Sequence, residues 1–409
     1  MMCMGTVGLL GVLSFHEGWD IGDVIRYGLS ALRHRGEVHW VSVLSNEGLS
    51  TKRLDDVRDV DVNGWAGIAC SATDDSAFGV IKCGSVDVAY CYEGQEINEG
   101  EICDIVLKRK APGKSLVLLA LTSNGHLIGY RSVDGRRALS LGAYGFDLAY
   151  VSNESAAINA AGGAVRTHVR PGSIIDISRY VMRELRTVNS NENPKLCPLE
   201  FIYMSRADSE IDGHSVYAFR KALARRLAAR LRGRVADSTD LVVGVPDTGT
   251  LYALKVGEAL GKPVELALIS IERHRSALTD EITTKRSVIH LKVNPIIKEL
   301  RGRRVLLIDD SLLSGLTVKE VSQILRHRAG VKEVHVGIAS PRIVRACPYG
   351  ITMPSTRVLL TRVFREDKEL IKVLEVDSIT WVSIDDLVSA AKEVGISEEL
   401  CMECFLGGD

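Results

Sequence analysis

The stretch Val305-Leu306-Leu307-Ile308-Asp309-Asp310-Ser311-Leu312-Leu313-Ser314-Gly315-Leu316-Thr317 constrains this chain more than any other. A short run of Val, Leu and Ile with no polar alternation reads as a strand buried on both faces, as in a parallel sheet. It ends in two adjacent carboxylates, followed by a loop of small and hydroxyl residues. Beyond the loop, apolar residues at 318, 321, 324 and 325 have helical spacing. Open α/β sheets bind ligands at the carboxyl ends of their strands, and helix N-termini favour anions. A phosphate fits the loop 311–317, held by backbone N–H and hydroxyl groups. Asp309 and Asp310 then face something polar and electron-poor, such as ribose hydroxyls or a bound metal ion. The plainer alternative is an acidic turn between a strand and a helix.

From about 215 onward the pattern alternates helix and apolar strand. The spacing predicts helices over 21–33, 217–231, 251–260 and 318–326, and strands over 241–245, 264–271, 305–308 and 333–339. That alternation implies a parallel sheet with helices on both faces. Before about 185 the chain reads instead as many short strands broken by Gly, Asn and Asp turns, with strands over 86–90 and 115–121. A polar linker over 189–194 divides the two patterns.

The chain has 409 residues, enough for two or three domains. Its net charge of −1 gives no electrostatic case for nucleic acid or an anionic membrane. No apolar run is long enough to span a bilayer. The apolar N-terminus lacks a basic leader, which argues against a signal peptide. Nine scattered Cys do not suggest a secreted disulfide scaffold. The expected location is therefore the cytoplasm.

The loop 311–317 resembles the ribose-phosphate loop of the type I phosphoribosyltransferases, which use phosphoribosyl pyrophosphate (PRPP). From about residue 5 to 409 the chain resembles the glutamine amidophosphoribosyltransferases, which make phosphoribosylamine in the first step of purine synthesis. The resemblance is carried by His34-Arg35-Gly36-Glu37, Val151-Ser152-Asn153-Glu154-Ser155-Ala156 and Val169-Arg170-Pro171-Gly172. It continues through the signature Glu200-Phe201-Ile202-Tyr203-Met204-Ser205-Arg206-Ala207-Asp208-Ser209, then Val245-Pro246-Asp247-Thr248-Gly249 and Pro348-Tyr349-Gly350-Ile351. It implies an α+β N-terminal-nucleophile domain, an αββα sandwich, over 1–190. An α/β type I phosphoribosyltransferase domain with a parallel sheet would follow over 198–395. A cysteine-containing tail over 396–409 would pack on that second domain.

The resemblance also implies a PRPP site. Asp309 and Asp310 would contact the ribose hydroxyls, directly or through Mg²⁺. Ser311, Gly315 and Thr317 would cradle the 5-phosphate, and Asp247, Thr248 and Gly249 would lie near the pyrophosphate. The basic segment 272–292 resembles a loop that closes over PRPP. There are departures. Ser314 stands where the family has Arg, and Leu316 where it has Thr. The closing segment lacks the family's Asn-Arg-Tyr-Val-Gly-Arg run. His290 replaces a common Arg, while Lys292 is retained.

The amidase motifs fare worse. In the family a Cys at the mature N-terminus attacks the glutamine amide, with its own α-amine as base. Aligning Gly5-Thr6-Val7-Gly8 places Met4 at that position, and a thioether cannot become a thiolate. Cys3 lies one residue early and could serve only if processing made it the first residue. The family's glutamine-binding Arg is missing from Gly67-Ile68-Ala69-Cys70-Ser71, and its oxyanion-hole Asn from Ala89-Tyr90-Cys91-Tyr92-Glu93-Gly94. These losses imply an inactive glutaminase. Cys70, Cys83, Cys91 and Cys103 are then expected to be free thiols packed in the core.

Cys197, Cys347, Cys401 and Cys404 match the cysteines that hold a [4Fe-4S] cluster in one branch of the family. Four Cys would also suit zinc. The implied activity is displacement of pyrophosphate from PRPP by ammonia, drawn from glutamine, from solution or from a separate glutaminase. The competing reading is a non-catalytic PRPP-binding regulatory or assembly subunit of an active paralogue. A third is a transferase with a changed acceptor. Family members form homo-oligomers and are inhibited by purine nucleotides.

Overall fold

The strand Gly8–Ser14 shows how the N-terminal half is built. All of it is buried, yet its side chains divide with period two. Leu9 and Leu13 enter one apolar core, while Leu10 and Val12 enter another beneath helix Gly22–Leu32. The strand Leu116–Thr122 divides in the same way. Val117, Leu119 and Leu121 meet Leu9 and Leu13, whereas Leu116, Leu118 and Ala120 pack toward helix Glu99–Lys108. Strands apolar on both faces need a layer on each side, and that requirement fixes a four-layered sandwich.

The computed structural model describes residues 6–16, 18–186, 194–270, 293–351, 353–396 and 399–406. Within it, a seven-stranded sheet runs in the order Ala164–His168, Ser140–Tyr144, Leu148–Ser152, Gly8–Ser14, Ala66–Ala72, Val38–Ser45, Gly48–Leu54. A six-stranded sheet faces it, in the order Met182–Arg186, Ser173–Ile177, Leu127–Arg131, Leu116–Thr122, Val86–Gly94, Phe78–Cys83. Helices Gly22–Leu32 and Ser155–Ala160 cover the outer face of the first sheet. Helix Glu99–Lys108 covers the second, started by a capping box between Asn98 and Glu101.

The C-terminal half is a parallel sheet in the order Leu241–Gly244, Arg304–Asp309, Glu333–Ile338, Ser378–Trp381. Leu306 and Ile308 pack on helices Val216–Leu231, Thr248–Leu260 and Ile384–Glu393. Val305 and Leu307 pack on Leu316–Gln323 and Asp367–Leu374. Helix Val216–Leu231 starts where Ser215 Oγ accepts the Ala218 N–H at 3.2 Å. The two halves touch intimately. A Cβ on Gly350 would lie 2.1 Å from the backbone of Gly94. Arg137 Nη2 donates to the Tyr349 carbonyl at 2.7 Å. Among the described residues no helix is long and apolar enough to cross a membrane.

Two expectations are corrected. Of the strand expected over 264–271, the described residues 264–270 do not form a strand of the parallel sheet. Val264 bridges Val242, and the chain then leaves to pair Leu268–Ser270 antiparallel with Val293–Pro295. Leu266 and Ile269 are exposed, so the run lacks the two covering layers a central strand needs. Cys83 and Cys103 are not free thiols: they form a disulfide with a Cα separation of 5.4 Å, joining the edge strand Phe78–Cys83 to helix Glu99–Lys108. Their spacing of 20 residues carried no sign of this, because helix packing rather than chain proximity brings them together. Cys3 and Met4, the linker 189–193 and the basic segment 272–292 lie outside the described residues.

Candidate active site

Strand Arg304–Asp309 is central in its sheet, so the residues that follow it emerge at the carboxyl edge between two neighbours. Asp309 is buried, and its Oδ1 accepts the Asp310 N–H at 2.9 Å. Asp310 Oδ1 accepts from Ser311 Oγ at 2.7 Å. Thr248, the first residue of its helix, lies close enough to Asp310 to act on its carboxyl. The two loops thus meet at one carboxylate. Burial drives the Asp309 carboxyl well above its ordinary range, and the charge of Asp310 adds to this. Burial pushes Asp310 up to about 6, against the Ser311 hydrogen bond, the Arg220 charge and Thr248. Arg220 is itself fixed by the carbonyls of Phe201, at 2.9 Å, and Ser205, at 2.5 Å.

The glycines carry local geometry. A Cβ on Gly249 would lie 2.6 Å from the Ile308 carbonyl oxygen, so only glycine lets helix Thr248–Leu260 sit against the central strand. Gly315, with φ 73°, turns the chain into helix Leu316–Gln323. Ser314 Oγ accepts the Leu316 N–H at 3.5 Å. Thr317 stands in the first turn of that helix, half-buried. Two ionisable carboxyls, hydroxyls from two loops and a helix N-terminus can bind a polyanion together with a cation.

Cys197, Cys347, Cys401 and Cys404 are free thiols lining one small cavity. Backbone pairing holds them there. Lys195–Leu196 pairs in parallel with Glu399–Leu400, and the Cys401 N–H donates to the Leu196 carbonyl at 2.8 Å. The Cys404 carbonyl accepts from Val344 at 2.8 Å. Burial, then the nearby Cys347 and Cys401, pushes the Cys404 thiol up to about 12. Among the described residues no group of three or more His, Cys, Asp or Glu side chains stands close enough together to hold a metal ion.

A buried ion network joins the N-terminal sandwich to the C-terminal half. Arg35, fully buried, donates from Nε to Glu154 at 2.6 Å and from Nη2 to Glu200 at 2.8 Å. Glu154 also accepts the Arg206 N–H at 2.6 Å and the Ser209 hydroxyl at 2.9 Å. Burial alone would raise Glu154, but Arg35 and His34 outweigh it and hold this carboxyl well below its usual range. Glu93 lies 3.6 Å from Arg35 and 3.8 Å from Arg137, and it accepts from Asn153 at 2.9 Å. Burial and Glu200 raise the Glu93 carboxyl, with Arg35 and Arg137 opposing.

A family model described as Phosphoribosyl transferase domain matches residues 216–342. Amidophosphoribosyltransferase of Mycobacterium tuberculosis is 32% identical over 295 residues, 71% of this chain and 54% of that protein. The Methanocaldococcus jannaschii protein of the same name is 28% identical over 468 residues, 98% of this chain and 96% of the relative. A solved structure, glutamine PRPP amidotransferase from B. subtilis complexed with ADP and GMP, aligns with TM-score 0.82 and 25% identity. It covers 98% of this chain and 96% of its own. The chain belongs to the amidophosphoribosyltransferase family. Its match spans about half the length of the mycobacterial relative.

Against that family, the structure brings Asp309, Asp310 and Ser311 together with Thr248, and gathers all four expected cysteines. Gly249 and Gly315 have packing and turning duties besides any contact with ligand. Sequence reasoning quoted Arg35, Glu154, Glu200 and Ser209 as family motifs and missed that they pair. It also missed Arg220, Arg136 and Arg137. The available signal was charge inside otherwise apolar segments, which a folded protein must neutralise.

Proposed function

We propose that this protein binds Mg²⁺-PRPP at the edge of its parallel sheet and transfers ammonia to C1, giving phosphoribosylamine and pyrophosphate. The observation that supports the reading is the buried Asp309–Asp310 pair, bonded to Ser311, with the Thr248–Gly249 turn packed against the end of the same strand. The nitrogen lone pair of ammonia attacks C1 while the C1–O bond to pyrophosphate breaks. The bonding pair leaves on pyrophosphate, and the new ammonium loses a proton to solvent. Asp309 and Asp310 orient the ribose and would hold Mg²⁺, which would supply charge neutralisation for the leaving group. Ser311, Gly315 and Thr317 bind the 5-phosphate, and Asp247, Thr248 and Gly249 the pyrophosphate.

Glutamine is not the nitrogen donor in this reading. Glu93 stands immediately before Gly94, where an Asn-Gly pair would supply an oxyanion donor. A carboxylate repels an oxyanion instead of stabilising it. Ammonia then comes from solution or from a separate glutaminase. Cys197, Cys347, Cys401 and Cys404 hold a [4Fe-4S] cluster, for which four free thiols around one cavity are the right donor set. The domain limits 1–190, 198–395 and 396–409, homo-oligomerisation and a cytoplasmic location belong to the same proposal. Ser314 and Leu316, which depart from the family in the phosphate loop, favour a second reading as a non-catalytic PRPP-binding subunit. Pyrophosphate release from Mg²⁺-PRPP by anaerobically purified protein separates these. Release with ammonium alone supports the first reading. Release with glutamine overturns the dead amidase, and release with neither favours the second.

A further inference from the structure

The turn Glu200–Ser205 is held from both halves of the molecule. It is closed where the Ser205 N–H donates to the Glu200 carbonyl at 3.0 Å. From the sandwich, Arg35 grips its two ends. Arg35 Nη1 donates to Glu200 Oε1 at 3.2 Å and Nη2 to the Ser205 hydroxyl at 3.1 Å, and that hydroxyl donates to Glu200 Oε2 at 2.6 Å. A turn this short leaves its carbonyls without partners of its own, and the transferase side supplies them. Arg220 Nε donates to the Phe201 carbonyl at 2.9 Å and Nη2 to the Ser205 carbonyl at 2.5 Å. The Tyr252 hydroxyl donates to the Ile202 carbonyl at 2.9 Å. Arg35, Ser205, Arg220 and Tyr252 are all buried. Tyr252 stands on helix Thr248–Leu260 one turn beyond Thr248, and Gly249 of that helix meets the Ile308 carbonyl with no room for a Cβ. A shift of the turn is therefore passed to the start of this helix, against the strand that ends in Asp309.

We propose that this turn is the coupling element through which the sandwich sets the pyrophosphate loop, with Ser205 and Tyr252 as positioning residues for Mg²⁺-PRPP. The inference deepens the PRPP reading above and rests on it. Ser205 is the crossing point: its hydroxyl answers to Arg35 in the sandwich and its carbonyl to Arg220 in the transferase half. Tyr252 passes the position of the turn to Thr248 and Gly249. Misplacement of a binding group by about 1 Å can cost about 100-fold, so small shifts at the turn are felt at the substrate. A sandwich without a working amidase thereby keeps a task in the transfer: it fixes where the leaving group binds.

The test is the affinity of the full-length protein for Mg²⁺-PRPP, read by calorimetry over a double-mutant cycle. Ser205→Ala removes the hydroxyl that Arg35 and Glu200 share and leaves the carbonyl to Arg220. Tyr252→Phe removes the bond to Ile202 and keeps the ring. Each should weaken binding about fivefold, the scale of one lost hydrogen bond. Because both act through one turn, the double variant should also bind about fivefold more weakly, not the roughly 25-fold product of independent sites. Ser209→Ala strips a bond from Glu154 without touching the turn, and it should bind as wild type does. A loss near the full product in the double variant overturns the coupling. Wild-type protein that neither binds Mg²⁺-PRPP nor releases pyrophosphate sinks the site reading and this inference with it. Wild-type binding that Ser205→Ala leaves unchanged sinks the inference alone. If Tyr252→Phe does not fold, Ser205→Ala against Ser209→Ala decides: equal affinities overturn the inference, and a loss confined to Ser205→Ala supports it.

Discussion

The two halves of this molecule treat buried charge in opposite ways. At the edge of the parallel sheet, Asp309 and Asp310 stand together with no cation bonded to either carboxylate among the described residues, and burial raises both. Where the N-terminal sandwich meets that half, Arg35 is bonded to Glu154 of the sandwich and to Glu200 across the boundary, and Glu93 lies between Arg35 and Arg137. A buried carboxyl pair with no bonded cation is what a cation-binding site presents. A neutralised network holds structure together. The sandwich depends on the period-two burial of strands such as Gly8–Ser14, and no catalytic group takes part in that.

The comparison breaks most directly at the acidic pair. Asp309→Asn with Asp310→Asn should reduce ammonium-dependent pyrophosphate release by about 10²–10³-fold or more, the usual scale for losing preorganised electrostatic groups. Circular dichroism should be unchanged. Unchanged turnover would remove the site assignment. In the other half, Arg35→Met leaves three buried carboxylates short of a partner. It should lower stability by about 3–5 kcal/mol in chemical denaturation. A loss below about 1 kcal/mol, the surface-pair scale, would mean that the network does not join the halves.

Much of this architecture was legible in the sequence. The apolar run before Asp309 is a central parallel strand, and Ser311 follows it beside Asp310. The helices over 217–231 and 251–260 differ from observation by a few residues at their starts, where Ser215 and the Asp247 loop set the caps. What was hidden is long-range pairing. Arg35 meets Glu154 and Glu200 across 119 and 165 residues, and no local pattern encodes that. The strand expected over 264–271 failed because apolar composition does not say whether a covering layer exists, and Leu266 faces solvent.

The disulfide sharpens the comparison from the N-terminal side. It closes a separation of 20 residues within the sandwich and touches nothing at the sheet edge. Loop-closure entropy assigns such a link about 3 kcal/mol. Cys83→Ser with Cys103→Ser should lower the free energy of unfolding by that amount and leave ammonium-dependent turnover unchanged. Loss of turnover at a temperature where the variant remains folded would show that the outer helix layer reaches the transferase site.

The smallest effect is the most diagnostic, because its sign differs between empty and loaded protein. Asp310 has an ordinary value of 3.8 and is pushed up to about 6 in the fold, with Asp309 raised alongside it. A carboxyl raised by folding binds its proton more tightly in the native state. Its contribution is therefore most favourable below the ordinary value and is lost as pH rises through about 6. Asp310→Asn should remove this slope and stabilise the empty protein at neutral pH by an amount on the order of 1–3 kcal/mol. Mg²⁺-PRPP needs the ionised pair, so its affinity should run the other way. It should fall by at least about tenfold per pH unit as pH drops through about 6. Calorimetric titration from about pH 5 to about pH 8 reads this directly. A flat affinity profile would mean that Asp310 is not at the cation, and the contrast between an expectant acidic pair and a satisfied ion network would lose its first member.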